Sequence, residues 1–309
     1  MDKRNSPSGK RGERSGSNRN SGTGKRLKSD KPSGNSRIKG DKKFGDKKPS
    51  FGGPKRSFNK TVAKKETPAK ASNPEETRLN KFLAHAGIAS RREADELIKT
   101  GLVEINGKII TEMGYKVKPS DEVKFNGSTV QAEKKVYLVL NKPKGFITSN
   151  GDPKARKTVM ELVANAGKER IYPVGRLDRK TTGVLLFTND GEMAKTLTHP
   201  SHGARKIYEV GLDKNLTSEH FQKIKEGITL EDGPIKVDEI SYIEGKSKKE
   251  IGIVIHSGRN RIVRRIFESL GYEVTKLDRV FFAGITKKGM NRGQWRRLTK
   301  KEVDFLKMV

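Results

Sequence analysis

The sequence predicts an α+β protein with a mainly antiparallel sheet, and three observations carry that reading. Beyond residue 135, short alternating apolar runs outnumber helical stripes and arrive in meander order, without a regular strand–helix–strand rhythm. Residues 78–131 carry two short helical stripes followed by a hairpin signal. Residues 1–77 are a different polymer, rich in Ser, Gly, Asn, Pro, Lys and Arg and almost free of Leu, Ile and Val. Such a segment cannot bury enough apolar surface to offset the entropy of ordering it, so it is expected to be a disordered tail.

The tail holds 22 basic and 8 acidic residues, about +14 of the chain's formal charge of +30. The remaining charge, about +16, belongs to residues 78–309. A charge of this size points to a polyanionic partner, nucleic acid ahead of a membrane surface. Phe44, Phe51 and Phe58 recur every seven residues among Lys and Gly. They read either as base-stacking groups in a basic tail or as incidental aromatics.

In residues 78–131, Leu79, Phe82, Leu83 and Ala86 form one helical stripe that Gly87 ends. Ser90 caps a second helix with Ala94, Leu97 and Ile98 on its inner face, and Gly101 stops it. Val103–Ile105 alternates as a strand, Asn106-Gly107 turns, and Lys108–Ile110 leads away. A further short strand is expected at 122–125. Arg91 and Arg92 stand in the first turn of the second helix, where the helix dipole disfavours cations, so phosphate contact is the better reason for them.

Residues 132–135 form a polar connector, and a larger domain is expected over 136–309. Strands are expected at 136–140, 184–187, 207–212 and 250–256. Helices are expected at 159–163, at 192–197 after the turn Thr188-Asn189-Asp190-Gly191, at 217–226 behind a Thr217 cap, and at 260–270. Thr299 and Glu302 make a capping box for a C-terminal helix.

Several chemistries are set aside. The chain has no cysteine, hence no disulfide, thiolate metal site or cysteine nucleophile. No P-loop or dinucleotide glycine motif follows a strand, and no serine sits in a nucleophile elbow. The five histidines lack the spacing of a metal set, so no metal is expected. No apolar stretch approaches the ~18 residues of a membrane span, and the first ten residues lack the apolar centre of a secretory signal. A cytoplasmic protein with no membrane partner is expected.

The run RLNKFLAHAGIASRREADELIKTGLVEINGK resembles the RNA-binding domain of ribosomal protein S4 over nearly the whole of that short domain. The run YPVGRLDRKTTGVLLFTNDGEMAK resembles the catalytic motif of RNA pseudouridine synthases, and its TNDG ending is typical of the RsuA-type rRNA branch. The resemblance extends to Leu140–Gly145, Lys206-Ile207-Tyr208, GRNRIVRRIFESLGYEVTKLDRV and Gly293–Leu298, and so covers nearly all of residues 78–309. Ser257 departs from it, standing where the family commonly has Glu, and Thr182 stands where Ser is frequent.

The resemblance implies that the enzyme detaches uracil from its ribose and rejoins it through carbon 5, with no electron transfer and no cofactor. Asp178 would be the catalytic carboxylate, and Tyr208 would stack on the extruded uracil. A basic residue would pair with Asp178. The apolar stripe of the 260–270 helix leaves Arg264 and Arg265 almost symmetrically placed, and only the motif position prefers Arg264. Arg78, Lys81, Arg91, Arg92, Lys142, Arg176, Lys206, Arg259, Arg261 and Arg265 are the expected RNA contacts.

The expected partner is ribosomal RNA, with 23S rRNA in an immature large-subunit particle ahead of small-subunit 16S rRNA, and the protein is expected to act as a monomer. The competing readings are a non-catalytic ribosome-assembly factor on the same fold and a nucleic-acid chaperone acting through charge alone. Deleting residues 1–77 is expected to weaken RNA binding while leaving a substantial remainder, and to flatten the dependence of log Kd on log salt, measured by titration at several salt concentrations.

Overall fold

The computed structural model describes residues 76–152, 154 and 156–308, so the predicted tail lies almost wholly outside the described residues. The smaller module begins with β1 (Thr77–Arg78), α1 (Leu79–His85) and α2 (Arg91–Lys99). It continues with β2 (Val103–Ile105), β3 (Lys108–Ile109), β4 (Lys116–Val117), β5 (Val123–Phe125) and β6 (Ser128–Thr129). Leu79, Leu83, Ala94, Ile98, Val103 and Val123 are buried together, as the two helical stripes require. The Ser90 hydroxyl accepts from the Glu93 amide, and the Glu93 carboxylate accepts from the Ser90 amide at 2.7 Å, which completes a capping box. Both hairpins turn on Asn-Gly pairs, Asn106-Gly107 and Asn126-Gly127, with all four residues at positive φ, the conformation of a two-residue β-turn. The strand order is β3-β2-β5-β6, all antiparallel, with β1 and β4 paired separately.

The larger module starts with β7 (Tyr137–Lys142), α3 (Val159–Leu162), β8 (Tyr172–Val174), β9 (Thr182–Thr188), α4 (Gly191–Thr198) and β10 (Lys206–Leu212). Next come α5 (Ser218–Glu226), β11 (Ile228–Leu230), β12 (Gly233–Ile235), β13 (Glu239–Tyr242) and β14 (Glu250–Ile255). The last elements are α6 (Ile262–Glu268), β15 (Val274–Phe282), β16 (Ile285–Thr286), β17 (Trp295–Arg297) and α7 (Lys300–Leu306). Among the described residues, nine strands form one sheet in the order β13-β14-β10-β15-β9-β7-β17, with β8 on β9 and β16 on β15. Every pairing is antiparallel except that of β9 with β15. Alternation along the strands buries both faces: Leu138, Leu140, Leu185 and Phe187 in one core, Val139, Val184 and Leu186 in the other.

The site is positioned by a split in this sheet. One edge of β9 is covered from Gly183 to Thr188 by β7. The other edge is shared: β8 covers Leu186–Thr188 and β15 covers Thr182–Gly183. The chain leaves β8 at Val174 and returns into β9 at Thr182, so the loop between them stands at this split.

The connector between the modules is clamped by the turn before α4. The Asn189 side chain accepts from the Val136 amide at 2.8 Å and donates to the Lys134 carbonyl at 2.9 Å and the Glu133 carboxylate at 3.1 Å. Asp190 caps α4 and accepts from Tyr137 and Lys135, both at 2.8 Å. Burial opposes ionisation of Asp190, and the Lys135 and Tyr137 bonds outweigh it, holding the carboxyl below its ordinary range.

One expectation is corrected, and one element is added. The helix expected over 260–270 is only Ile262–Glu268, because Arg261 sits in the left-handed region at φ 49° and cannot extend it. The nine-residue strand β15 was absent from the sequence reading, because its buried positions include Asp278 and Arg279 and break the apolar alternation.

Gly183 permits the close approach of β9 and β15. Its φ is 106°, and a Cβ there would stand 2.0 Å from the Arg279 carbonyl oxygen. Gly183→Ala is expected to cost ~2–3 kcal/mol in urea unfolding, whereas Gly151→Ala, with nothing within 4 Å, is expected to be neutral.

Candidate active site

The loop Gly175-Arg176-Leu177-Asp178 is held from three directions. Gly175 turns the chain at φ 74°. Thr148 donates its hydroxyl to the Leu177 carbonyl at 2.8 Å and accepts from the Leu177 amide at 3.2 Å. The Gly145 amide donates to the Arg179 carbonyl at 2.8 Å, and Arg179 Nε donates back to the Gly145 carbonyl at 3.1 Å. The third hold comes from Lys142, at the end of β7. Its Nζ donates to the carbonyls of Thr181 at 2.9 Å, Asp178 at 3.1 Å and Pro143 at 3.2 Å.

This placement corrects the reading of Lys142 as an RNA contact. The side chain is fully buried, and all three ammonium protons are directed at backbone carbonyls. Burial pushes its pKa down to about 8, and the Asp178 charge opposes that fall.

Asp178 is about one-third exposed and opens on a pocket of about 160 Å³. Arg264 lies behind it, with side-chain exposure of 6% and Nε 3.8 Å from the Asp178 carboxylate. One Arg264 Nη donates to the Val274 carbonyl at 2.8 Å, and Nε has no hydrogen-bond partner among the described residues. The pair is therefore a charge contact with a donor to spare. Burial first, then Arg261, pushes the Arg264 pKa down, and the Asp178 charge counters them. Arg265, the equal candidate by helix geometry, is turned away and bonds Asp232 at 2.9 Å.

Tyr208 lies on β10, is 9% exposed and lines the same pocket as Asp178. Arg176, Lys206, Arg259 and Arg261 also line it. Arg259 is held by the Gly233 carbonyl at 3.2 Å and Arg261 by Glu268 at 3.0 Å, so both have a neighbour before any ligand arrives. Ser257, the departure from the family pattern, accepts from the Arg259 amide at 3.3 Å and shapes the turn into α6. Arg78, Arg91 and Arg92 are exposed on the smaller module, and Lys81 there pairs with Glu192 of the larger one.

Arg279 was missed in the sequence. It lines the pocket at 3% exposure, donates Nε to the Val184 carbonyl at 2.8 Å and lies over the Phe282 ring at 4.5 Å. The signal was an arginine one residue past an aspartate inside an otherwise apolar run, which reads as a solvated pair until the sheet is known.

A carboxylate at the mouth of a small pocket, an aromatic ring in its wall and a ring of cations suit a reaction on one extruded nucleotide of a nucleic acid. Comparison with known proteins gives the same class. Residues 136–269 match the RNA pseudouridylate synthase family model, and residues 77–123 match the S4 domain. The chain is 46% identical to the ribosomal large subunit pseudouridine synthase B of Bacillus subtilis, over 75% of this chain and 96% of that protein. It is 38% identical to an uncharacterized RNA pseudouridine synthase of Aquifex aeolicus, over 74% and 92% of the two chains. A crystal structure of a pseudouridylate synthase aligns with a TM-score of 0.54 at 30% identity, covering 74% of this chain and 99% of that one. The chain belongs to the RNA pseudouridine synthase family and carries an S4 domain ahead of the catalytic module.

Lys142→Met would remove the ammonium donor from the Asp178 and Thr181 carbonyls of the loop and from the Pro143 carbonyl beside it. It is expected to destabilise the protein by ~3–5 kcal/mol in urea unfolding and to lower kcat by ~10²-fold through displacement of Asp178.

Proposed function

We propose that this protein isomerises one uridine of 23S ribosomal RNA to pseudouridine, acting as a cytoplasmic monomer on immature large-subunit particles. The observation that carries the reaction is Asp178 on a pocket shared with Tyr208, with Arg264 behind the carboxylate. The choice of the large subunit is supported by the name of the Bacillus subtilis relative. The S4 domain and the basic surface supply affinity for RNA.

The reaction conserves every atom of the nucleotide. The bond from C1′ to N1 breaks, a bond from C1′ to C5 forms, the proton on C5 leaves, and N1 carries one. Asp178 supplies the carboxylate at the sugar, and Tyr208 holds the base while it turns. The Arg264 guanidinium counters the Asp178 charge without bonding it, so the carboxylate oxygens stay free for the substrate. A cell keeps this reaction specific by positioning, because the chemistry at C1′ is common to every uridine.

The test is pseudouridine mapping across all rRNA of cells lacking the protein. One 23S position is expected to lose its modification, to regain it with the wild-type protein, and to stay at background with Asp178→Asn. Rescue by Asp178→Asn would remove Asp178 from the chemistry. A change in 16S rRNA alone would move the substrate to the small subunit, and no change in any rRNA would overturn the substrate class.

A further inference from the structure

The larger module brings a buried cation and a half-buried one together, neither in a salt bridge among the described residues. Arg279 is buried, its Nε donates to the Val184 carbonyl, and its Nη2 has no partner among the described residues. Lys206 donates to the carbonyls of Ala204 at 2.7 Å and His256 at 2.8 Å, which leaves one ammonium proton unassigned. Both cations lie against the same Phe282 ring, the Lys206 Nζ at 5.8 Å and the Arg279 guanidinium carbon at 4.5 Å. Asp278, adjacent to Arg279 in the chain, is already bound by Lys287 and Arg292. Burial, then the Arg279 charge, brings the Lys206 pKa down to about 8, and Asp238 opposes this only in part.

Strand register places this pair beside the chemistry. Arg279 stands directly opposite Tyr208, and Lys206 opposite Phe282. The register slips by one residue between Ile207 and Tyr208, so the ordinary two-residue alternation is broken between Arg279 and Phe282. Arg279, Lys206, Tyr208 and Asp178 all line one pocket. A buried guanidinium and a half-buried ammonium this close repel each other, and an incoming anion with several acceptor oxygens satisfies both at once.

We propose that Arg279 and Lys206 form the binding site for a phosphodiester flanking the uridine that is isomerised, and thereby fix its sugar over Asp178. This rests on the RNA pseudouridine synthase reading above. Arg279 is a binding and positioning residue for the reaction.

The test uses the full-length protein and RNA oligonucleotides spanning the mapped uridine. A neutral methylphosphonate replaces the phosphate on its 5′ side, the phosphate on its 3′ side, or a remote control phosphate. KM, kcat and Kd are measured for wild type, Arg279→Met, Arg279→Lys and Lys206→Met. Arg279→Met is expected to raise KM and Kd ~10–100-fold, with partial recovery in Arg279→Lys. One flanking methylphosphonate is expected to raise the wild-type values by a similar factor and to add little in Arg279→Met. Lys206→Met gives the same comparison should Arg279→Met fail to fold. Wild-type values insensitive to both flanking substitutions, or losses that multiply in the variants, would overturn the site. Failure of the wild type to convert the unmodified RNA would instead overturn the reaction, and the binding constants would still decide the phosphate site.

Discussion

A single buried ammonium organises the catalytic module. Lys142 ends β7 and directs its charge into the carbonyls of Pro143, Asp178 and Thr181. A buried cation is costly unless every proton finds an acceptor, and these three carbonyls meet that condition. The Asp178 carbonyl also accepts from the Thr181 amide at 3.0 Å, which closes the turn on itself. The catalytic turn is therefore defined by a satisfied charge, while Thr148 and Gly145 restrain it from the remaining sides. Asp178 thus presents a partly exposed carboxylate from a backbone held on several sides.

The sheet supplies the room for that turn. β8 and β15 divide one edge of β9 between them, and the pocket forms where neither continues. Closing β9 against β15 demands a residue without a Cβ at position 183, and the same contact delivers Arg279 to the pocket wall. The core and the site are thereby linked: the two strands that meet at Gly183 are those that carry the buried arginine and the exit from the catalytic loop.

Much of this was legible in the sequence where a local rule decides the outcome. The Ser90 cap, Thr299 with Glu302 and the Asn106-Gly107 turn each act within a few residues, and all three form as read. The family likeness located Asp178, Tyr208 and Arg264, which the fold brings to one place. The choice between Arg264 and Arg265 could not be read from helix periodicity. It is set by Asp232, which draws Arg265 outward, and by the carbonyl of Val274, which receives Arg264. Lys142 was misread because, in a chain this basic, a lysine before Pro-Lys-Gly resembles every other phosphate-facing cation. Its burial depends on acceptors 36 and 39 residues away. Arg279 was missed for the same reason, since its acceptor is 95 residues distant.

The clamp that Asn189 and Asp190 place on residues 133–137 has a consequence for how tightly two weak grips act as one. A connector tied at the Glu133 and Lys135 side chains, the Lys134 carbonyl and the Val136 amide samples fewer conformers, so less entropy is lost when both modules hold one RNA. The tether is short and stiff, and the local concentration of the second module near RNA held by the first is correspondingly high, provided the two contact points on the RNA match its span. Such a tether acts as a gauge of spacing: RNA whose two features lie at another separation gains the affinity of one module alone.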